Sequence, residues 1–345
     1  MSSKSKKLKI LHLGFHKGLE NELYSIADEL NLDLIFKKFD DGISKGSAIY
    51  SVGHNKAKKA WEVFKDYYMK FDIIITSDTA PISRVFLQNG WPDLNKKLII
   101  WVCNRFDYYD HASKDCLFPD REYYDLIRGA NQQKNVHIMG YTKFENYYGK
   151  YMKNTNFGND VTKPIGMLSK KVWNYKSNPD REIKGKKIKI LFFIPPYHND
   201  TKMMNLSAQL NNLGISNYNG RYNGPLELAD FKGVIHIPYA WSNLALFEAF
   251  QLGIIYFIPS KKFIQELAKS PKFFWSPPKK PELFHLSEWY DEKHKNLFVF
   301  FDSWDDLKRK IANTNYGKKK GILLEFGKKH KREMLDKWRK LLEIN

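Results

Sequence analysis

Short, continuously apolar segments alternate along the chain with longer segments whose apolar residues recur every three or four positions. The first kind is typical of buried strands and the second of helices with one buried face. The turn at Gly14–Gly18 separates an apolar segment from a helical repeat between Leu19 and Leu30. In the first half, the pattern predicts strands at 9–13, 33–36, 71–76, 98–102 and 136–139, and helices at 19–30, 57–69 and 120–129.

A polar stretch rich in Lys and Pro interrupts the alternation at about residues 166–187, which is typical of a linker. The alternation then resumes. In the second half, the pattern predicts strands at 189–194, 233–237, 254–258 and 297–301, and helices at 202–213, 226–231, 242–252, 262–269 and 304–312. Strands that alternate with helices form parallel sheets. We therefore expect an α/β fold with two Rossmann-like, doubly wound domains, at 1–165 and 188–316.

The composition narrows the class of protein. Of 345 residues, 43% are hydrophobic, so the chain can bury a core, which excludes a disordered tail, a collagen and a coiled coil. The two cysteines, Cys103 and Cys116, exclude a disulfide scaffold and favour a reducing, cytoplasmic location. The excess of 57 Lys and Arg over 38 Asp and Glu gives a net charge of +19, which favours an anionic partner.

The segment 317–345 is a predicted basic helix with ten Lys or Arg and four Asp or Glu. Its apolar residues fall at helical spacing, at Met334, Leu335, Trp338, Leu341 and Leu342. One interpretation is an amphipathic helix docked on the body of the protein with its basic face in water. The other is a helix that lies on a membrane surface, which would make the protein peripheral to a membrane.

Several common site motifs are absent from the sequence. It contains no G-x-x-x-x-G-K-[ST] loop, G-x-G-x-x-G, H-E-x-x-H or C-x-x-C. It contains no Asp-x-Asp triplet either. We therefore expect no metal site and no bound cofactor.

The most informative segment runs from Gly233 to Ser260. A buried strand ends near Ile237, and a short polar loop leads to a helix with Ser242 as the predicted N-cap. The free amides at such a helix start suit a diphosphate. Glu248 lies further along that helix in an apolar run, where a carboxylate must find a partner or line a cleft. A ribose diol is a suitable partner, because a carboxylate can accept two hydroxyl hydrogens.

This segment resembles the nucleotide-sugar-binding half of the GT-B glycosyltransferases. The match rests on Glu248-Ala249, Gly253 and Pro259-Ser260. The resemblance implies two Rossmann-like domains facing a central cleft, with the donor in the second domain, the acceptor in the first, and the terminal helix crossing back towards the first. It also implies that Glu248 binds the ribose and that Ser242 and Asn243 hold the phosphates, and Tyr239 in the preceding loop is a further candidate for binding the donor.

The resemblance implies a donor of the UDP or GDP type and a hydroxyl acceptor on a glycan, lipid or protein. The large retaining branch of that family places a second Glu eight residues before the Glu of Glu-Ala, where this chain has Ala240. The prediction is therefore an inverting, metal-independent hexosyl- or deoxyhexosyltransferase.

Two other segments of the second half are donor-site candidates. In the loop Asn219–Pro225, Arg221 is placed to pair with a phosphate and Tyr222 to stack on a base, although an ordinary surface loop explains them equally. Tyr197 and His198 follow a predicted strand, and ligands of open α/β sheets lie beyond the carboxyl ends of strands.

The first half offers candidates for the acceptor side. His16 follows the first strand and is a candidate general base, with Asp78 at the end of another strand as its rival. Gly14, Arg105 and Asp107 are candidates for binding the acceptor. Two other functions stay open, namely a nucleic-acid-binding protein, which the dispersed basic residues disfavour, and a GT-B-like nucleotide-sugar epimerase.

Overall fold

The computed structural model describes residues 8–39, 51–91, 96–108, 118–166, 176–196, 205–269 and 281–344. The chain divides into two compact units. The first unit comprises Met1–Pro164 together with Met334–Asn345, and the second comprises Ile165–Glu333. Each unit is built on its own parallel sheet.

The first unit has a five-stranded sheet whose neighbouring strands are all parallel. Its strands are β1 (Lys9–Gly14), β2 (Asp33–Lys38), β3 (Ile73–Thr76), β4 (Lys97–Val102) and β5 (Val136–Gly140), in the order β2-β1-β3-β4-β5. Its helices are α1 (Lys17–Leu30), α2 (His54–Tyr68), α3 (Arg84–Leu87), α4 (Arg121–Ala130) and α5 (Lys143–Tyr147). The central strand β3 is buried at every position, as its run of isoleucines requires.

The second unit contains a second parallel sheet of five strands. A short hairpin of β6 (Glu182–Ile183) and β7 (Lys186–Lys187) occupies part of the predicted linker. The sheet consists of β8 (Phe192–Phe193), β9 (Asn217–Tyr218), β10 (Gly233–Ile235), β11 (Tyr256–Pro259) and β12 (Val299–Phe301), in the order β12-β11-β10-β8-β9. Its helices are α6 (Leu206–Asn212), α7 (Pro225–Leu228), α8 (Leu244–Leu252), α9 (Lys261–Leu267) and α10 (Trp304–Asn313), followed by the terminal helix α11 (Tyr316–Leu342).

The strands of the two sheets are arranged in the same order relative to their order in the chain. In each, the second strand lies on one side of the first, and the third, fourth and fifth strands lie on the other side. Because parallel crossovers are right-handed, this reversal places helices on both faces of each sheet. The prediction of two Rossmann-like, doubly wound units is confirmed. The reversal also creates a switch point between β1 and β3 and another between β8 and β10, where ligands of such folds bind.

The C-terminal part of α11 belongs to the first unit. Trp338 is fully buried and packs edge-on against Trp101, with ring centroids 5.6 Å apart. The ammonium of Lys97 donates to the carbonyl of Leu341 at 2.9 Å. Met334, Leu335 and Leu342 are also buried, so the apolar face of this helix packs against protein. Within the described ranges, no helix combines the length and the apolar character that crossing a membrane requires.

The strand predicted at 189–194 is much shorter in the structure. A 3-10 turn covers Ile188–Ile190, and only Phe192 and Phe193 pair with neighbouring strands. Ile190 is half exposed, at 50%, because the chain reaches the sheet only after it. Apolar residues alone therefore overestimate the length of this strand.

Candidate functional site

The helix α8 begins beside the switch point of the second unit. Asn243 is its N-cap, with extended backbone angles, and its Oδ1 accepts the N–H of Leu246 at 2.8 Å. The prediction that Ser242 caps this helix is wrong. Both residue types are good caps, but Asn243 itself has extended backbone angles, so the helix starts one residue later. The first-turn amides of Leu244 and Ala245 have no acceptor within the helix.

Ser242 lies next to these amides and is not paired. Its side chain is 8% exposed, and its Oγ has no hydrogen-bond partner among the residues that the structure describes. A buried hydroxyl without a partner costs roughly 1–3 kcal/mol. A buried, unsatisfied donor at a helix N-terminus has the chemistry to bind an anionic oxygen.

Glu248 lies one turn into the same helix. The residue is partly buried, and burial raises the pKa of its carboxyl group to about 7. No described residue donates a hydrogen bond to the Glu248 carboxyl group or forms an ion pair with it. At neutral pH the carboxyl group is therefore divided between its two charge states, and its ionised form can accept two hydroxyl hydrogens.

The backbone of residues 165–166 lies directly on α8. A Cβ added to Gly166 would come within 2.1 Å of the Phe247 carbonyl oxygen, and Gly166 has φ +68°. The amide of Gln251 donates to the carbonyls of Ile165 at 3.1 Å and Gly327 at 2.7 Å. These contacts fix the position of the helix that carries Glu248.

Hydrogen bonds from Ser287–Trp289, a segment far away in the sequence, hold the loop between β10 and α8. The Trp289 indole N–H donates to the Ala240 carbonyl at 3.0 Å. The Glu288 backbone N–H and the Ser287 hydroxyl both donate to the Trp241 carbonyl, at 2.9 and 3.2 Å. The sequence analysis missed these residues, because nothing near them in the sequence indicates the contact. Tyr239 of the same loop packs edge-on against His236 at 5.5 Å.

The loop with Arg221 and Tyr222 lies beside β8. The Tyr222 ring packs edge-on against Phe193 at 4.9 Å, while the Arg221 side chain is exposed and its carbonyl accepts the Tyr218 hydroxyl at 2.9 Å. The buried carboxylate of Glu227 holds this loop, because it accepts the backbone N–H of Asn223 and pairs with a guanidinium. Tyr222 thus lies against β8, one of the two strands that flank the switch point of the second unit. Tyr197 and His198 lie outside the described residues.

In the first unit, Gly14, His16 and Asp78 meet at the β1/β3 switch point. A Cβ on Gly14 would lie 3.1 Å from the Ser77 hydroxyl, next to Asp78. Asp78 adopts a left-handed backbone with φ +71°. Burial raises the pKa of its carboxyl group, and the nearby His16 partly opposes that shift. The two rival bases are therefore electrostatic neighbours.

The hydrogen bond of His16 limits its chemistry. His16 caps α1, and its Nδ1 accepts the backbone N–H of Gly18 at 3.1 Å. A neutral imidazole whose Nδ1 is an acceptor carries its proton on Nε2. In this arrangement the exposed Nε2 of His16 donates a hydrogen bond rather than accepts a proton, whereas an ionised Asp78 carboxylate can accept one.

Arg105 and Asp107 have different surroundings. Asp107 is 6% exposed, and its Oδ2 accepts the hydroxyls of Tyr124 at 2.6 Å and Tyr148 at 3.3 Å. Arg105 is exposed, with its guanidinium 5.9 Å from the centre of the Tyr148 ring. Arg105 is thus open to a ligand, whereas Asp107 is largely engaged with its neighbours.

The structure reveals a further buried acid that the sequence analysis missed. Glu145, at the start of α5, is 5% exposed, and its Oε2 has no partner within the described ranges. Burial raises the pKa of this carboxyl group to about 8, with Arg105 opposing the shift and Asp107 adding to it. Among the described residues, no group of three or more His, Cys, Asp or Glu is arranged to hold a metal ion.

The comparisons with known proteins give a distant structural likeness. No protein-family model and no curated protein matches the chain. One solved structure that resembles it is a Listeria monocytogenes protein named for UDP-N-acetylglucosamine 2-epimerase. The likeness covers 91% of each chain, with 11% sequence identity and a TM-score of 0.49. The assignment of two Rossmann-like units rests on the strand orders of the two sheets and not on this likeness.

Proposed function

We propose that the protein is a nucleotide-sugar-dependent glycosyltransferase that binds its donor in the second unit. One observation carries the proposal. The buried and unpaired Ser242 hydroxyl, the free first-turn amides of α8 and the unpaired Glu248 carboxyl all belong to one short segment at the β8/β10 switch point. Together they offer donors for a diphosphate and an acceptor for a ribose.

The spacing along α8 suits a nucleoside diphosphate. Glu248 lies five residues beyond Asn243, about 7.5 Å along the helix axis at 1.5 Å per residue. The diphosphate binds the Ser242 hydroxyl and the α8 amides, which meet its negative charge. The ribose hydroxyls donate to Glu248, and the half-buried Tyr222 ring beside β8 provides an apolar surface for the base.

The first unit supplies the acceptor side. Asp78 removes the proton from the acceptor hydroxyl, and His16 donates a hydrogen bond from Nε2. The acceptor oxygen forms its bond to the anomeric carbon while the bond from that carbon to the diphosphate breaks. The positive end of the α8 dipole and its amides stabilise the charge that develops on the leaving diphosphate. The step inverts the anomeric carbon and needs no metal.

The first experiment is a thermal-shift panel with UDP, GDP, CMP, dTDP and their sugars, without metal and then with magnesium. A ligand that binds the folded state raises the melting temperature by mass action. We expect one nucleoside diphosphate to raise it without metal, and Glu248→Ala to abolish the shift. No shift from any nucleotide would contradict the proposal.

Product analysis separates the alternatives. The donor that gives the shift is incubated without acceptor, and its sugar is identified by NMR. A transferase leaves the donor unchanged or hydrolyses it slowly, whereas conversion to an epimeric nucleotide sugar would establish the epimerase. Salt-sensitive binding to DNA or RNA in the absence of any nucleotide shift would instead favour the nucleic-acid-binding protein.

A further inference from the structure

A group of charged and aromatic side chains lies beyond the carboxyl ends of β4 and β5, which are neighbouring parallel strands of the first sheet. Ligands of open parallel sheets bind beyond this edge. Two residues of the group follow β4 and three follow β5, namely Arg105, Asp107, Glu145, Tyr148 and Lys153. We call these five residues the β4/β5 cluster.

Lys153 has a negative partner within the cluster. Its ammonium lies 3.6 Å from Asp107 Oδ2. The same carboxylate oxygen accepts the hydroxyls of Tyr124 at 2.6 Å and Tyr148 at 3.3 Å. The charges of Lys153 and Asp107 therefore cancel inside the cluster.

Arg105 has no such partner. Its side chain is exposed, and no described residue forms an ion pair with it. Its guanidinium lies 5.8 Å from the centre of the Tyr108 ring and 5.9 Å from that of the Tyr148 ring, and these contacts leave its charge uncompensated. A guanidinium has five N–H donors, more than the Tyr148 hydroxyl beside it can accept. Arg105 therefore keeps donors for a carboxylate or a phosphate, the groups that match its planar fork.

Glu145 controls the charge that Arg105 presents. Burial raises the pKa of the Glu145 carboxyl group to about 8, with Arg105 opposing the shift and Asp107 adding to it. The thiol of Cys103 is a further titratable neighbour of this carboxyl group. Because Glu145 is largely uncharged at neutral pH, the cluster then has a net positive charge. An ionised Glu145 would cancel that charge at higher pH.

Both acids of the cluster also have an oxygen without a partner. Glu145 Oε2 and Asp107 Oδ1 are buried and lack a hydrogen-bond partner among the residues that the structure describes. Buried polar atoms of this kind are rare in folded proteins. The hydroxyl groups of a sugar have the chemistry to pair with them.

We propose that Arg105 binds an acidic group, a carboxylate or a phosphate, on the sugar that accepts the transferred residue, and that neutral Glu145 leaves Arg105 available for it. The inference rests on the proposed function, since it names the class of acceptor. An anionic acceptor also suits a chain with a net charge of +19.

The test compares three small sugars that differ in their acidic group. Ligand-observed NMR titrations on the full chain measure glucose, glucuronate and glucose 6-phosphate at pH 7. Arg105→Gln removes the positive charge, and Arg105→Lys keeps it without the planar fork. Arg121→Gln is the matched control, because Arg121 is another exposed arginine of the first unit.

We expect the wild type to bind one of the anionic sugars about tenfold more tightly than glucose, because hydrogen bonds between charged groups are the stronger ones. Arg105→Gln abolishes this preference, Arg105→Lys restores part of it, and Arg121→Gln keeps it. The sugar that binds more tightly identifies the acidic group as a carboxylate or a phosphate.

The pH dependence tests the part played by Glu145. Both anionic sugars stay ionised between pH 7 and pH 9. With a pKa of about 8, the neutral fraction of Glu145 falls about tenfold over this range, and the affinity for the preferred anionic sugar should fall with it. Glu145→Gln stays neutral and should bind that sugar equally at both pH values. If Glu145→Gln does not fold, the wild-type pH profile decides.

The outcomes separate this inference from the proposed function. Equal affinity of the wild type for the three sugars would overturn the inference, and so would a preference that Arg105→Gln retains. An affinity that is the same at pH 7 and pH 9 would overturn the part played by Glu145. A nucleotide shift without any preference for anionic sugars would overturn this inference alone. A preference that depends on Arg105, without any nucleotide shift, would support the anionic site and contradict the transferase.

Discussion

Gly166 lies against the carbonyl of Phe247, so close that a Cβ on Gly166 would come within 2.1 Å of the carbonyl oxygen. Its left-handed backbone, with φ +68°, also favours glycine. The helix that carries Glu248 is therefore packed directly against a main chain with no side chain between them. Any residue other than glycine must push α8 away or unfold this contact.

We expect Gly166→Ala to destabilise the protein by about 3 kcal/mol or more, since it combines backbone strain with overpacking. Gly214→Ala is the matched control. Gly214 also has a positive φ, +73°, but nothing lies within 4 Å of the added Cβ. It should cost only about 1–2 kcal/mol of strain. Chemical denaturation measures both, and equal losses would contradict the packing argument.

Ser242→Ala should affect binding and stability in opposite ways. The variant removes a buried hydroxyl without a partner, so the ligand-free protein should be as stable as the wild type or more stable. Its affinity for the nucleoside diphosphate should fall about tenfold, the equivalent of one hydrogen bond to a charged group. Calorimetry and thermal denaturation measure the two effects.

Ser303→Ala provides the contrast for that experiment. The Ser303 hydroxyl caps α10 by accepting the Asp306 N–H at 3.1 Å. Its loss should cost about 1 kcal/mol of stability and leave nucleotide affinity unchanged. A Ser242→Ala variant that lost stability as Ser303→Ala does would show that the Ser242 hydroxyl serves the fold instead of a ligand.

Nucleotide affinity should rise with pH through the titration of Glu248. Its pKa is about 7 in the ligand-free protein, and only the ionised form accepts both ribose hydroxyls. Affinity should therefore increase between about pH 6 and pH 8. Glu248→Gln should be about tenfold weaker at pH 8 and should keep only the pH dependence of the phosphates themselves. Calorimetry with a ribonucleotide and its 2′-deoxy form identifies the group that Glu248 contacts.

Asp78→Asn should separate chemistry from binding. Loss of the general base should lower kcat by about 10²–10⁴-fold, while the affinity for the donor stays unchanged. His16→Asn keeps a side chain that can cap α1 and a hydrogen-bond donor, so its kcat should fall far less. Equal losses of kcat in the two variants would contradict this assignment and favour His16 as the base.

The stability of the protein should decline between about pH 4.5 and pH 8 because of Glu145. Its carboxyl group ionises near pH 4.5 in the unfolded chain and near pH 8 in the folded protein. The folded state therefore binds the extra proton in this range, and each rise in pH favours the unfolded state until pH 8. Glu145→Gln cannot ionise and should make the decline smaller, while the raised pKa of Glu248 keeps a decline of its own up to about pH 7. Urea denaturation from pH 5 to pH 9 measures it.

The strands with long apolar runs could be predicted well from the sequence. The strand expected at 98–102 is β4, Lys97–Val102, because a fully buried strand must be apolar throughout. The strand expected at 189–194 has only two residues in the structure, Phe192 and Phe193, because only these two pair with neighbouring strands. Hydrophobicity thus marks burial, while pairing decides where a strand begins.

The residues of the candidate site also differ in how far the sequence alone could point to them. The sequence points to Glu248 because a lone acid in an apolar helical run is conspicuous, and its role as a ribose ligand stays a prediction. The sequence predicts Ser242 as the cap of α8, whereas the structure has Asn243. Both residue types are good caps, and the choice between them depends on one backbone angle that the sequence does not specify. Trp289 was missed because its partner Ala240 is far away in the sequence, and a buried tryptophan looks the same whether it fills a core or fastens a loop.

The burial of Trp338 against Trp101 has a consequence for biosynthesis. The first unit uses residues from the beginning of the chain and also Met334–Asn345 from its end. During translation, the ribosome must therefore produce the whole second unit before the first unit can complete its core. Trp101 in the N-terminal sheet lacks its partner Trp338 until the helix that carries Trp338 has been synthesised. The second unit can therefore finish folding before the first.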